Sequence, residues 1–148
     1  MKSVVMECRI LVCASPRRIN QFVRHAKCIA AQFSSGRIRH SFSMVPVTSP
    51  MLRSRWGYDN GPDTIPGPDT CDVSLAFSGP PGQLTAAQLD TVARDVLADL
   101  EPHPGKFTAE IIPWILTLTT ETDEFSRRAL TKRHPGIAED TRRLTEQR

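Results

Sequence analysis

Apolar positions along the chain recur with two periods. Val4 to Cys13 (VVMECRILVC) is a mostly apolar, β-branched run of strand length. Ser15 and Pro16 then supply a helix N-cap and a preset first helical position. From there Ile19, Phe22, Val23, Ala26, Ile29, Ala30 and Phe33 recur at helical spacing, until Ser34-Ser35-Gly36 ends the pattern. Val73, Leu75 and Phe77 alternate with Asp72, Ser74 and Ser78, the period of a half-buried strand. Leu84-Thr85-Ala86-Ala87-Gln88-Leu89 follows. Its Thr and Gln can cap each other's amides while Leu84 and Leu89 close a hydrophobic staple. Leu89, Val92, Val96, Leu97 and Leu100 continue as one stripe before Pro102 and Pro104, which predicts a helix over 86–101.

The next run reads both ways. Phe107, Ile111, Trp114 and Leu118 fit a helix, whereas Trp114, Leu116 and Leu118 fit one face of a strand. Pro113 sits badly in a helix interior and the threonines favour extended backbone, so a strand at 112–120 is predicted. Thr120 or Thr122 starts a helix to Arg133, and a short terminal helix is expected from Ile137 to Glu146. The order after residue 71 is therefore strand, helix, strand, helix. Two strands do not make a stable sheet, so others must come from residues 1–13, from residues 40–58 or from another protomer. If the two strands are parallel neighbours, the helix between them is a right-handed crossover. The fold class expected is α/β or α+β, a small single domain with a short sheet and a basic amphipathic N-terminal helix.

Charge divides the chain. Residues 1–50 carry eight Lys/Arg against Glu7 alone, residues 51–120 four against nine acids, and residues 121–148 seven against six. The net charge of +3 hides that asymmetry, which marks the first segment as one with its own task. Between them, Gly61-Pro-Asp-Thr64 repeats as Gly67-Pro-Asp-Thr70, two turns in a Pro/Gly-rich stretch. The expected organisation is a basic segment over 1–43, serving as leader or arm, a linker over 44–70, and a small α/β domain over 71–148.

An Arg-rich, acid-poor amphipathic stretch has the composition of a mitochondrial transit peptide. It also suits a helix covering a sheet with its arginines in water, or a helix on an anionic membrane through residues 16–33. A start at Met44 or Met51 would make the upstream text non-native. Four cysteines at 8, 13, 28 and 71 form no Cys-x-x-Cys pair, which points to free thiols in a reducing, intracellular setting. That setting is mitochondrial in a eukaryote and cytoplasmic otherwise. No run is long enough to span a bilayer as a helix.

Candidate chemistry is thin. Cys8, Cys13, His25 and Cys28 have ligand side chains, but residues five apart on a strand point to opposite faces, so no metal site is expected. Ser78-Gly-Pro-Pro-Gly82 precedes a capped helix, yet its prolines remove the amides that a phosphate cradle needs. No cofactor is expected. The histidines at 25, 40, 103 and 134 have no orienting carboxylate evident from sequence, so no catalytic residue is assigned. Basic residues on the two amphipathic helices, Arg17, Arg18, Arg24 and Lys27 with Arg127, Arg128, Lys132 and Arg133, are the candidate nucleic-acid contacts. The leading expectation is a non-enzymatic interaction or accessory protein, organelle-targeted or assembled with a protein partner or a second copy. The alternatives are a nucleic-acid-binding module using both basic helices, and a small enzyme without a recognisable motif.

Overall fold

The alternating and β-branched runs form a sheet to which both halves of the chain contribute. The computed structural model describes residues 4–34, 36–46, 70–98, 108–119 and 121–137. In chain order the elements are β1 (Val4–Cys13), α1 (Pro16–Phe33), β2 (Arg39–Pro46), β3 (Thr70–Gly79), α2 (Ala86–Ala98), β4 (Thr108–Leu118) and α3 (Glu124–Arg133). A 3₁₀ turn over Pro135–Ile137 follows. The strands lie in the order β2-β3-β1-β4, and every neighbouring pair is antiparallel. This is the split βαβ arrangement of ferredoxin-like sheets, a small single α+β domain.

The strands missing from residues 71–148 thus come from the same chain. β1 is a central strand, paired with β3 from Val4↔Gly79 to Cys13↔Thr70 and with β4 on its other side. β3 and β4 run parallel, but they are not neighbours as a simple crossover would have them, because β1 lies between. The strand expected over 112–120 runs earlier, over Thr108–Leu118. Pro113 is accommodated because β4 is an edge strand. It falls between the Ile111 and Ile115 pairings, where the register against β1 shifts between Cys8 and Ile10. The Gly-Pro-Asp-Thr repeat up to Asp69, His103 and the terminal helix beyond Ile137 lie outside the described residues.

α1 and α2 cover one face of the sheet. Met6, Cys8, Ile10 and Val12 of β1 and Val73, Leu75 and Phe77 of β3 meet Ile19, Phe22, Ala26 and Ala30 of α1 and Leu89, Val92, Ala93 and Val96 of α2 in one buried cluster. The alternating strand around Leu75 and the capped helix after Thr85 therefore do bury their apolar sides together. Phe33 packs edge-on against Phe77, with ring centroids 5.0 Å apart. Both caps form as the sequence implies. Ser15 Oγ accepts from the Arg18 amide, and Thr85 and Gln88 bond reciprocally at 2.9 and 3.2 Å. Gly82 takes a positive φ of 93° in the turn before α2, where a side chain would strain the backbone. The amides of Gln83 and Leu84 donate to the Pro80 carbonyl within that turn, so they are not aimed outward at an anion.

The other face of the sheet carries a second, smaller cluster. Val5, Ala76 and Leu118 meet Leu130 of α3 and Ile137 of the 3₁₀ turn. Among the described residues, no helix is long and apolar enough to cross a membrane.

Candidate functional site

Odd-numbered positions of β1 and even-numbered positions of β3 face α3, and beside Val5 and Ala76 this face carries buried polar residues. Glu7, Ser74 and His134 are fully buried together. The register explains why they converge. Ala76 of β3 stands opposite both Glu7 of β1 and Ser41 of β2, so one methyl group separates two polar side chains across three strands. β1 and β2 are two strand spacings apart, roughly 10 Å. An imidazole with a hydrogen bond on either side fills that span. α3 delivers it, ending at Arg133 with His134 as its C-cap, whose amide donates to the Leu130 carbonyl.

The bonds form a directed chain. Arg133 donates from Nε to Glu7 Oε2 at 2.6 Å and from Nη2 to Oε1 at 2.5 Å, a two-pronged ion pair. Ser74 Oγ donates to Glu7 Oε2 at 2.5 Å. That uses the single hydroxyl hydrogen of Ser74, so the 2.7 Å contact from Ser74 Oγ to His134 Nε2 places a proton on Nε2. In the neutral ring, Nδ1 then accepts from Ser41 Oγ at 3.0 Å. Burial alone would push the Glu7 carboxyl up. The hydrogen bonds from His134, Arg133 and Ser74, with the Arg133 charge, outweigh it and hold the carboxyl at about 2. Arg39, on the same face of β2 as Ser41, donates from Nη2 to the Gly136 carbonyl at 2.8 Å and fixes the turn beside His134. Further along the face, Arg9 and Asp72 form another ion pair, with Arg9 Nε 3.2 Å from Asp72 Oδ1.

No local spacing links His134 to an orienting carboxylate, because Glu7 lies 127 positions away in the chain. The signal available was an acid alone within an apolar strand, a residue type that is not buried without partners. Ser41 and Ser74 carried no signal of their own.

The predicted basic residues fall on opposite sides of the sheet. On α1, Arg17, Arg24 and Lys27 are exposed and Arg18 is half-buried; Lys27 Nζ also sits 5.1 Å from the centre of the Phe42 ring. On α3, Arg127 is buried with Nε donating to the Thr122 carbonyl, and Arg133 is held by Glu7. Arg128 is exposed beside Glu124, and Lys132 is exposed. α1 packs on one face and α3 on the other, so the two groups do not form one continuous patch. The cysteines are dispersed too. Cys8 lies in the α1/α2 core, where burial, with the Asp90 and Glu7 charges, pushes its thiol up to about 12. Cys28 is exposed on α1, and Cys13 and Cys71 lie near the paired ends of β1 and β3. His25 Nε2 approaches the Asp95 carbonyl at 3.4 Å and links α1 to α2. Beside that link is an open groove of about 290 Å³ lined by Ile29, Phe33 and Val92 with Gln32, Gln88, Thr91 and Asp95.

No family model matches the chain, and no curated protein matches it. Among solved structures it is similar to a de novo designed protein, Foldit4, at 10% identity and a TM-score of 0.44, over 80% of this chain and 98% of that one. It is also similar to an amidase of the hydantoinase/carbamoylase family from Burkholderia phymatum, at 10% identity and a TM-score of 0.44. That match covers 88% of this chain and 33% of the amidase, so the chain spans about a third of that protein's length.

Proposed function

We propose that this chain is an accessory interaction protein that meets an acidic protein surface with the outer side of α1. The observation that carries the reading is the ridge of that helix. Arg17, Asn20, Gln21, Arg24, Lys27 and Cys28 are exposed along it, and the helix contains no acidic residue. From Arg17 to Lys27 is about 15 Å at 1.5 Å per residue, a stripe of one sign on a helix anchored by four buried residues. Such a stripe steers an oppositely charged partner and fixes its register more than it adds raw affinity.

Two observations favour a protein over the other anionic partners. A helix that lies in a membrane surface needs its apolar side to insert, and here Ile19, Phe22, Ala26 and Ala30 are committed to the core. A nucleic-acid module using both basic helices needs them on one side, and they lie on two. Four free thiols are consistent with a reducing, intracellular setting.

The test is charge reversal on the ridge. Wild-type protein and the R17E/R24E/K27E variant are titrated by fluorescence anisotropy with labelled polyglutamate, duplex DNA and phosphatidylserine vesicles at low and physiological salt. The expected result is salt-sensitive binding of polyglutamate, reduced at least tenfold in the variant, whose fold is checked by circular dichroism. Equal binding by the two proteins, or tighter binding of DNA or vesicles than of polyglutamate, overturns the reading. Light scattering on the same samples reports whether the acidic surface belongs to a second copy.

A further inference from the structure

The chain of bonds on the sheet's second face ends at the half-buried hydroxyl of Ser41, on an edge strand. We propose that Ser41 is a base-activated acyl-acceptor site, modified once by a reactive carboxylic ester or thioester. The site is separate from the α1 ridge and goes beyond the interaction reading.

The hydrogens available in this cluster are few enough to be assigned one by one. Both prongs of Arg133 and the hydroxyl of Ser74 point into Glu7. Ser74 is left with lone pairs only, so the 2.7 Å contact requires the Nε2 hydrogen of His134. In the neutral ring the remaining nitrogen offers a lone pair, 3.0 Å from Ser41 Oγ. A nucleophile within hydrogen-bond reach of a base, with that base oriented by a further group, is the arrangement that activates a serine. Here the base is wholly buried and cannot rotate away without breaking the Ser74 bond, whereas Ser41 is half-buried on an edge strand. Two features suit the outer end to an acyl donor. Arg39 lies two residues before Ser41 on the same strand face and donates to the Gly136 carbonyl at 2.8 Å, which places a positive charge at this end of the chain of bonds, the sign that a developing oxyanion needs. Gly136 is exposed and carries no side chain; a methyl there would stand 3.9 Å from Ser41 Oγ.

The step balances without a cofactor. Ser41 Oγ attacks the carbonyl carbon and its proton passes to His134 Nδ1. The tetrahedral adduct then expels the alkoxide or thiolate, which leaves with that proton. Acyl-Ser41 and the free alcohol or thiol result. Glu7 and Ser74 are positioning residues, since neither meets the acyl group.

The experiment uses the full chain with p-nitrophenyl acetate, following nitrophenolate release and mapping acetylated peptides by mass spectrometry. A burst of about one equivalent is expected, with acetate on the peptide that contains Ser41 and separable from adducts on Cys28 or lysines. Ser41→Ala removes that adduct. His134→Gln slows its formation about 100-fold, the lower range for a general base. Because a buried histidine variant can fail to fold, Gly136→Val supplies the second arm. It changes no side chain of the relay and narrows the approach, so acetylation is expected to slow while the melting curve stays near wild type. Denaturant abolishes the Ser41 adduct if the relay causes it. Labelling of Ser41 no faster than in the denatured chain overturns the proposal, as does labelling that a folded His134→Gln or Gly136→Val variant leaves unchanged.

Discussion

The two faces of one sheet are built on opposite principles. On the α1/α2 face, Phe22, Leu75, Phe77, Leu89 and Val96 are each wholly buried and apolar, with stability spread over many contacts, each weak alone. On the α3 face, Glu7, Ser74 and His134 are as deeply buried, but a few directed bonds hold them, and the apolar cluster among the described residues is the smaller of the two. A face of the first kind fails gradually, in proportion to volume removed. A face of the second kind fails at single atoms, because a carboxylate or guanidinium left without its partner keeps its desolvation cost.

The largest single effect therefore belongs to the apolar face. Phe22→Ala removes a fully buried ring between α1 and the sheet, and such truncations cost about 3–5 kcal/mol. Denaturant unfolding followed by circular dichroism should show the midpoint fall with the slope unchanged. A loss below about 1 kcal/mol would mean that α1 is not packed as described.

On the polar face, Glu7→Gln removes the charge that Arg133 was bonded to. Breaking one partner of a buried pair costs about 3 kcal/mol or more, a little less than the core truncation because Arg133 is partly exposed. The same variant isolates a pH effect whose sign follows from the direction of the shift. The folded Glu7 carboxyl lies at about 2 and its ordinary value is 4.5. Its contribution is therefore fully present above the unfolded value and is lost as the pH falls from there through about 2. Stability of the wild type should drop across that window by roughly 3 kcal/mol more than that of Glu7→Gln. Hydrogen exchange distinguishes where this happens. Residues 124–137 should open first in acid while β1 and β3 stay protected. Parallel pH curves for the two proteins would show that Glu7 is not paired in solution.

This contrast also sets how much of the molecule could be read from its sequence. The periods around Leu75, the capped start of α2 and the stripe from Ile19 to Phe33 are local and repeated, so each predicts its element, and all three reach the structure. The topology was not local. Residues 4–13 carry an apolar run whether they end as a detached arm or as the centre of a sheet, and only pairing with both β3 and β4 decides it. The polar cluster was least legible of all. Its members lie at positions 7, 41, 74, 133 and 134, and no spacing links an acid in one strand to a histidine 127 residues later. Periodicity reports which way a side chain faces; it carries no information on which polar groups will share that face.

The smallest effect tests the part that was legible. Thr85 and Gln88 cap α2 through three bonds of 2.9 to 3.2 Å, and Leu84 beneath them is buried. Thr85→Ala removes the side-chain acceptor for the Gln88 amide but leaves Leu84 and the helix's apolar stripe intact. Loss of such a cap costs about 1 kcal/mol, well under either change above. Because that face is cooperative, the loss should appear as a uniform shift of the unfolding midpoint and not as fraying confined to residues 85–88. Hydrogen exchange at the first turn of α2 separates the two. Exchange raised only there, with the midpoint unmoved, would mean that α2 is held by its tertiary contacts alone and that the capping box, though formed, contributes nothing to the fold it so clearly announces in the sequence.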